Sequence, residues 1–138
     1  MKEFVLDCSA TLPWVFDSEA TKATDALLDQ LARGGRACVP ALWHLELANV
    51  LLGAKRRSRI DQAGIEQFLG TLAQFDIAVD ADTMPNAWAK TLALAESYEL
   101  TVYDAAYLEL ALRRGLPLAT LDEALAKAMK RAGGKLAL

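Results

Sequence analysis

The chain has 138 residues, of which 54% are hydrophobic and 24% are charged. This length and composition exclude an intrinsically disordered chain and predict a single domain over residues 1–138, with a core that needs no disulfides. The 15 basic and 18 acidic residues give a net charge of −3, which weakly disfavours nucleic acid as a partner.

Short apolar runs and turn residues predict the elements in chain order. Strands are expected at residues 4–6, 37–39, 75–80 and 116–120, with a candidate edge strand at 135–138. Helices are expected to start at residue 8 and to cover residues 18–31, 40–54, 62–73, 82–99, 104–115 and 122–132. The alternation of strands with helices predicts an α/β fold with three layers, in which a parallel sheet lies between helices.

Cysteine and histidine content limits the metal sites and the location that we expect. Cys8 and Cys38 are too few for a disulfide framework, and one histidine nearly excludes a Cys/His zinc site.

The longest mostly apolar stretch, residues 39–54, is interrupted by polar side chains and is too short to span a bilayer. The first residues lack the pattern of a signal peptide. We therefore expect a cytoplasmic protein with reduced cysteines and no membrane partner.

Four acidic residues, called the four acids below, fall at the ends of predicted elements. They are Asp7 and Asp122 after strands, Asp104 at a helix N-terminus, and Glu46 in the first turns of the helix after the second strand. In a parallel sheet, ligands bind beyond the carboxyl ends of the strands, so these side chains should converge. Crowded carboxylates repel one another, and a hard divalent cation relieves that repulsion. The sequence therefore predicts a Mg²⁺ site, in which Mn²⁺ can substitute, rather than a zinc site.

Each of these acids has a simpler explanation when it is taken alone. Aspartate is a common helix N-cap, so Asp7, Asp104 and Asp122 could each do no more than cap a helix. Glu46 could be a solvated residue on a helix surface. What favours a shared site is that four separate segments bring their acids to one edge of the sheet.

A basic run follows the predicted helix 40–54 and consists of Lys55, Arg56, Arg57 and Arg59. These cations could only favour the helix end and solubility, or they could hold RNA phosphates beside the acidic site. If the four acids share one site, the other 14 acidic residues balance the 15 basic ones, so a local basic patch fits the composition. The helix rise places Lys55 about 13 Å beyond Glu46.

Four segments together resemble the PIN-domain ribonucleases and, among them, the VapC-type toxins of toxin–antitoxin pairs. The segments are Asp7-Cys8-Ser9, residues 39–49 (VPALWHLELAN), residues 103–107 (YDAAY) and residues 119–122 (ATLD). Each is short, but their order and their positions at element ends are specific, and the resemblance covers essentially the whole chain.

The resemblance implies that the four acids form the catalytic site. The acids facing the metal would be Asp7, Asp104 and Asp122. Glu46 would bind the metal or orient the attacking water. Three supporting hydrogen-bonding residues are also implied: Ser9, Asn49 and Thr120.

The same resemblance implies a five-stranded parallel sheet, a homodimer, RNA as substrate and inhibition by a cognate antitoxin. Products with 5′-phosphate and 3′-hydroxyl ends are implied as well, whereas the identity of the RNA does not carry over. The apolar surface of helix 82–99, which contains Trp88, Leu92 and Leu94, independently favours a dimer.

Two other α/β folds and a non-catalytic role compete with this interpretation. Residues 7–11 (DCSAT) resemble the Asp-x-Asp-x-Thr motif of haloacid dehalogenase phosphatases, but Ser9 replaces the Asp that would be the general acid. A receiver-like signalling domain needs an acid at the end of its third strand, which Asp80 could supply. It also needs a lysine after its last strand, whereas Lys135 comes before the final predicted strand. A PIN domain that only binds RNA or a partner is disfavoured because all four acids are present.

Overall fold

Four parallel strands form the central sheet of the computed structural model, which describes residues 2–138. Their order across the sheet is β3-β2-β1-β4. The strands are β1 (Glu3–Leu6), β2 (Arg36–Val39), β3 (Asp76–Val79) and β4 (Leu118–Ala119). The predicted α/β fold with three layers and a parallel sheet is therefore confirmed.

The core of the molecule is built on β1, because this strand has a neighbour on each side. Val5 pairs with Cys38 of β2 and with Leu118 of β4. Residues 4–6 are completely buried, as expected for a parallel strand that is covered by helices on both faces of the sheet. The uninterrupted apolar run Phe-Val-Leu reflects this position.

Helices connect the strands and cover the sheet. They are α1 (Cys8–Thr11), α2 (Lys22–Ala32), α3 (Trp43–Arg56), α4 (Gln62–Leu72), α5 (Thr83–Asn86), α6 (Leu92–Tyr98), α7 (Val102–Arg114) and α8 (Glu123–Arg131). Two 3₁₀ turns, Leu12–Trp14 and Asp17–Glu19, lie between α1 and α2. No helix among residues 2–138 is long and apolar enough to cross a membrane.

The expected fifth strand is wrong as a full strand, since residues 135–138 make only one bridge, between Leu136 and Leu118. The bridge uses two backbone hydrogen bonds, from the Leu118 N–H to the Lys135 carbonyl and from the Ala137 N–H to the Leu118 carbonyl. Because β4 contains only two residues, it offers too little edge for a longer partner.

Two predicted helices also differ from the structure. The helix expected over residues 82–99 contains a π-helical turn, Ala87–Thr91, between α5 and α6. The helix expected from residue 18 starts at Lys22, where Thr21 and Thr24 form a reciprocal capping box. This cap satisfies the first helical N–H groups, so the preceding residues adopt a separate 3₁₀ turn.

The carboxyl ends of the strands are held in register by backbone hydrogen bonds just outside the sheet. The Asp7 N–H donates to the Ala119 carbonyl at 3.0 Å, and the Asp80 N–H donates to the Val39 carbonyl at 2.8 Å. Helix α7 packs against β1 and β4, and its middle, residues 105–111, is buried. This packing fixes the first turn of α7 relative to the ends of both strands.

Candidate active site

Asp7 follows β1 directly and is buried. Its position precedes α1, but its side chain makes no capping hydrogen bond. Instead, Asp7 Oδ2 accepts the Ser9 hydroxyl at 2.6 Å and the Thr120 hydroxyl at 2.8 Å. The structure therefore does not support the simpler interpretation of Asp7 as a helix cap, and it places two of the expected supporting residues on this carboxylate.

The two hydroxyls that serve Asp7 also organise the segment after β4. Ser9 Oγ accepts the Leu121 N–H at 2.9 Å, and Thr120 Oγ1 accepts the Asp122 N–H at 3.1 Å. Each hydroxyl has a single proton, which it donates to Asp7, so its lone pairs are available to the backbone. This hydroxyl pair joins the end of β1 to the start of α8.

Glu46 lies in the first turn of α3 and is half-buried. Its Oε1 accepts a hydrogen bond from the hydroxyl of Tyr107, whose side chain is completely buried. Sequence reasoning did not assign this role to Tyr107. The available signal was its position three residues after Asp104, which places both side chains on one face of α7.

Asp104 is the third residue of α7 and is not the cap of that helix. Thr101 is the N-cap, and its hydroxyl accepts the Asp104 N–H at 3.1 Å. The carboxylate of Asp104 makes no ion pair with any of residues 2–138. Because Thr101 satisfies the helix terminus, the Asp104 side chain is available for the site.

Asp122, in contrast, does cap a helix. Its Oδ1 accepts the Leu125 N–H at 2.9 Å at the start of α8. The simpler interpretation therefore accounts for one oxygen of this carboxylate. The second oxygen is not used by the cap, so capping and a role in the site are compatible.

The four acids interact electrostatically, although they come from separate segments. Burial raises the pKa of Asp7, and the charge of Asp122 raises it further. Burial is also the largest cause of the raised pKa of Glu46, followed by the charges of Asp7 and Asp104. The pKa of Asp104 is raised by burial and then by Asp7 and Asp122.

No lysine or arginine contributes to these pKa shifts. Cys8 lies in the same negative environment. Burial raises the pKa of its thiol, and the charges of Asp7 and Glu46 raise it further, to about 12. In the metal-free protein the thiol therefore stays protonated. The acidic site is a cluster of carboxylates without a compensating cation from the described chain.

The carboxylate oxygens of the acidic site are suitable ligands for a hard cation, but they do not form a preformed metal site. Among residues 2–138, no group of three or more His, Cys, Asp or Glu side chains is close enough together to hold a metal ion. Mg²⁺ keeps several waters and often takes only one or two protein carboxylates, so it does not need such a cage. The oxygen ligands and the uncompensated charge therefore fit Mg²⁺ better than a site made for zinc.

The remaining predicted site residues lie on α3 and beyond its end. Asn49 is exposed on α3, and its side chain makes no hydrogen bond with the acids or with any other of residues 2–138. Arg59 pairs with Glu19 at 3.0 Å and lies over the ring of Phe16 at 4.2 Å. Lys55 donates to Gln62 Oε1 at 2.8 Å.

Arg56 and Arg57 are exposed and make no ion pair within the described residues. The contacts of Arg59 place the turn after α3 beside residues 16–19, which lie between α1 and α2. Arg59 therefore joins the end of the basic run to the segment that links α1 to α2.

Comparison with curated protein sequences gives no significant match. Comparison with solved structures shows similar folds. The crystal structure of PAE2754 from Pyrobaculum aerophilum has a TM-score of 0.67 and 23% identity, over 92% of this chain and 84% of that one. The crystal structure of VapBC2 from Rickettsia felis, bound to a DNA fragment from their promoter, contains a chain with a TM-score of 0.64 and 16% identity, over 97% of this chain and 96% of that one.

A chain in a toxin–antitoxin complex from Klebsiella pneumoniae has a TM-score of 0.58 and 18% identity, over 86% of each chain. At these identities the similarity shows the fold alone. The family assignment comes from a sequence model described as PIN domain, which matches residues 4–131 and so includes all four acids. This chain therefore belongs to the PIN domain family.

Proposed function

We propose that this protein is a Mg²⁺-dependent endoribonuclease and the toxin of a toxin–antitoxin pair. The observation that carries the proposal is the cluster of four carboxylates, in which burial and neighbouring carboxylates raise the pKa of Asp7, Glu46 and Asp104 and no lysine or arginine opposes them. Such an arrangement is costly for the fold, and a site that binds a divalent cation accounts for it.

Similarity to known proteins supports the same proposal. The PIN family match disfavours the two rival folds, the phosphatase and the signalling receiver. Two structural relatives come from structures described as VapBC2 bound to promoter DNA and as a toxin–antitoxin complex. By analogy, a cognate antitoxin is the expected protein partner of this chain, and RNA is the expected substrate.

In the proposed site, Asp7, Asp104 and Asp122 would hold the cation. Glu46 would either bind it or orient the water that attacks the RNA phosphodiester. A bound divalent cation would supply the positive charge that activates water and stabilises the negative charge developing on the phosphate.

The chain's own contribution is to position these carboxylates. Ser9 and Thr120 donate to one oxygen of Asp7, which keeps that oxygen an acceptor and fixes the side chain. Tyr107 does the same for Glu46 from the buried face of α7. The neutral hydroxyl donors orient the carboxylates without cancelling the charge that attracts a cation.

The proposal is tested with purified protein and RNA. We expect cleavage with Mg²⁺, loss of cleavage in EDTA and recovery with Mn²⁺. Asp104→Asn should lower the cleavage rate by roughly a hundredfold or more, because loss of a metal ligand removes several kcal/mol of transition-state stabilisation. Mapping RNA ends after brief induction in cells should show 5′-phosphate and 3′-hydroxyl products.

Glu96→Gln is the matched control, since Glu96 is an exposed acid on α6 outside the site. This variant should cleave like the parent protein. Cleavage at the parent rate by Asp104→Asn in Mg²⁺, or full activity in EDTA, would show that the site assignment is wrong.

A further inference from the structure

Three large exposed apolar side chains each directly precede one of the four acids. Leu45 is 76% exposed beside Glu46, Tyr103 is 67% exposed beside Asp104, and Leu121 is 47% exposed beside Asp122. Consecutive Cα atoms lie about 3.8 Å apart, so each of these side chains starts from a backbone position next to a site acid, and we call the three residues the apolar rim. Single exposed apolar residues are normal on a protein surface, but the place of these three beside the acids makes them candidates for contact with a bound substrate.

Tyr103 is the aromatic member of this rim and has no structural use within the described chain. Its hydroxyl makes no hydrogen bond with any of residues 2–138. The backbone beneath it is nevertheless firmly held, because the Thr101 hydroxyl caps the first turn of α7 at the Asp104 N–H. The ring is therefore presented to solvent from a rigid helix start, next to a site acid.

Electrostatics limit how RNA can be held at this place. The causes of the pKa shifts of Asp7, Glu46 and Asp104 include other carboxylates and no cation. A phosphate next to these groups is repelled when no metal is bound, so a contact directly beside the acids must not depend on charge, while phosphates further along the strand can be held by the basic run. Stacking of a base on an aromatic ring is such a contact, and it accepts any base.

We propose that Tyr103 is a stacking platform for the base of an unpaired nucleotide next to the scissile phosphate, with Leu45 and Leu121 completing an apolar rim. This inference rests on the proposed nuclease function and assigns a base-binding residue to that site. A base can reach the ring only when it is not paired, so the test uses single-stranded probes.

The test measures binding without cutting, in protein carrying Asp7→Asn. The probes are a fluorescein-labelled oligoadenylate of 12 nucleotides and an abasic strand of the same length, each titrated in EDTA and followed by anisotropy. Tyr103→Ala should weaken binding of the base-bearing strand about tenfold, which corresponds to about 1.4 kcal/mol, and should leave the abasic strand unaffected. The salt dependence should not change, because no phosphate contact is removed.

Two control variants keep the result specific. Tyr103→Phe retains the ring and should bind like the parent, and Leu69→Ala removes an exposed apolar side chain from α4 and should also bind like the parent. Thermal melting should show that all variants fold, as expected for an exposed position.

Several outcomes would overturn the proposal. They are unchanged affinity of Tyr103→Ala for oligoadenylate, equal loss for both strands, or failure of Tyr103→Phe to bind. A cleavage assay of the protein with intact Asp7 distinguishes failure of the stacking role from failure of the proposed nuclease function. If that protein cuts RNA while Tyr103→Ala binds normally, the stacking role fails alone, and if it cuts no RNA, the proposed function fails as well.

Discussion

Tyr107 is a positioning residue whose importance follows from a single contact. Its buried hydroxyl donates to Glu46, and no other donor to that carboxylate is present among residues 2–138. Tyr107→Phe keeps the ring in the core but leaves Glu46 free to rotate. We expect the free energy of unfolding to fall by about 1 kcal/mol and kcat for RNA cleavage to fall about tenfold, while KM changes little.

Tyr98→Phe is the matched control for this prediction, because it removes from α6, outside the site, a hydroxyl that makes no hydrogen bond with any of residues 2–138. The two variants are compared by steady-state kinetics and by urea unfolding. A purely structural role for Tyr107 would lower stability and leave kcat at the parent value, which would contradict the prediction.

The raised pKa values make a prediction about the pH dependence of stability in the metal-free protein. Ordinary carboxyl pKa values are 3.8 for Asp and 4.5 for Glu, and those of Asp7, Glu46 and Asp104 are higher in the folded state. Groups with a raised folded pKa contribute stability that is complete below their ordinary pKa and is lost as pH rises through the folded value. The site therefore destabilises the fold most at neutral pH.

Asp104→Asn removes one of these groups and its repulsion. In EDTA, we expect the unfolding free energy of this variant to rise relative to the parent as pH increases from 4 to 7, measured by urea unfolding. Glu96→Gln should show no comparable trend. A difference between Asp104→Asn and the parent that stays constant over this range would contradict the prediction.

At the scale of single residues, the sequence indicates which acids lie near one another more readily than which side chains hydrogen-bond to them. The ends of predicted elements were enough to bring four separate acids together, and Ser9 and Thr120 do contact Asp7. The bond between Tyr107 and Glu46 could not be predicted, because it depends on how α7 packs against α3. Asn49 was expected to support the site and has no such contact, since helical spacing gives a shared face but not the reach of a side chain.

The next prediction concerns the basic run, which lies at the end of α3 and in the turn before α4. Arg59 is engaged by Glu19 and Phe16, so its substitution would disturb the turn itself. Replacing Lys55, Arg56 and Arg57 by Gln should weaken binding of all RNAs alike. The slope of log affinity against log salt should fall by up to about 2, since each phosphate contact on a single strand contributes about 0.7.

Binding is measured in the Asp7→Asn background across a range of salt concentrations. The matched control replaces Lys127, Lys130 and Lys135 by Gln, which removes the same charge from α8 and the segment after it. If both triple variants lose affinity equally, the effect is one of net charge, and the basic run has no special role in holding RNA.

At the scale of elements, local signals predicted which elements exist better than where they end. Buried runs such as residues 4–6 located the strands, whereas the capping box of Thr21 and Thr24 starts α2 at Lys22 rather than at the expected residue 18. The predicted fourth strand was too long, and the predicted fifth strand is only a single bridge, because strand pairing depends on neighbours that are distant in the chain. The π-helical turn also lacks a local signal, since its residues are ordinary helix formers.

The whole molecule exposes a second apolar surface, which predicts a dimer. Met84, Trp88 and Leu92 are spaced four residues apart along the helical segment from α5 to α6, and Trp88 is 94% exposed. Leu94, which the sequence grouped with them, packs against the core instead. We expect light scattering at micromolar concentration to show a dimer and Trp88→Glu to shift it to monomer, because a charge at this position cannot be buried without a partner.

Leu69→Glu, which adds the same charge on α4, should leave the dimer intact. A parent protein that is only monomeric at micromolar concentration would contradict the dimer prediction, and so would an unchanged mass for Trp88→Glu.

The hydroxyl pair that joins Asp7 to the segment after β4 also affects when a newly made chain can become active. Asp7 lies near the start of the chain, while Thr120 and Asp122 lie close to its end. Domains fold during synthesis as their segments leave the ribosome, so the early strands can form while the last acid is still absent. A nascent chain that stops before Thr120 lacks both a partner for Asp7 and the fourth carboxylate. Under the proposed function, this order of synthesis delays activity until residues 120–122 have been added, 113 residues or more after Asp7.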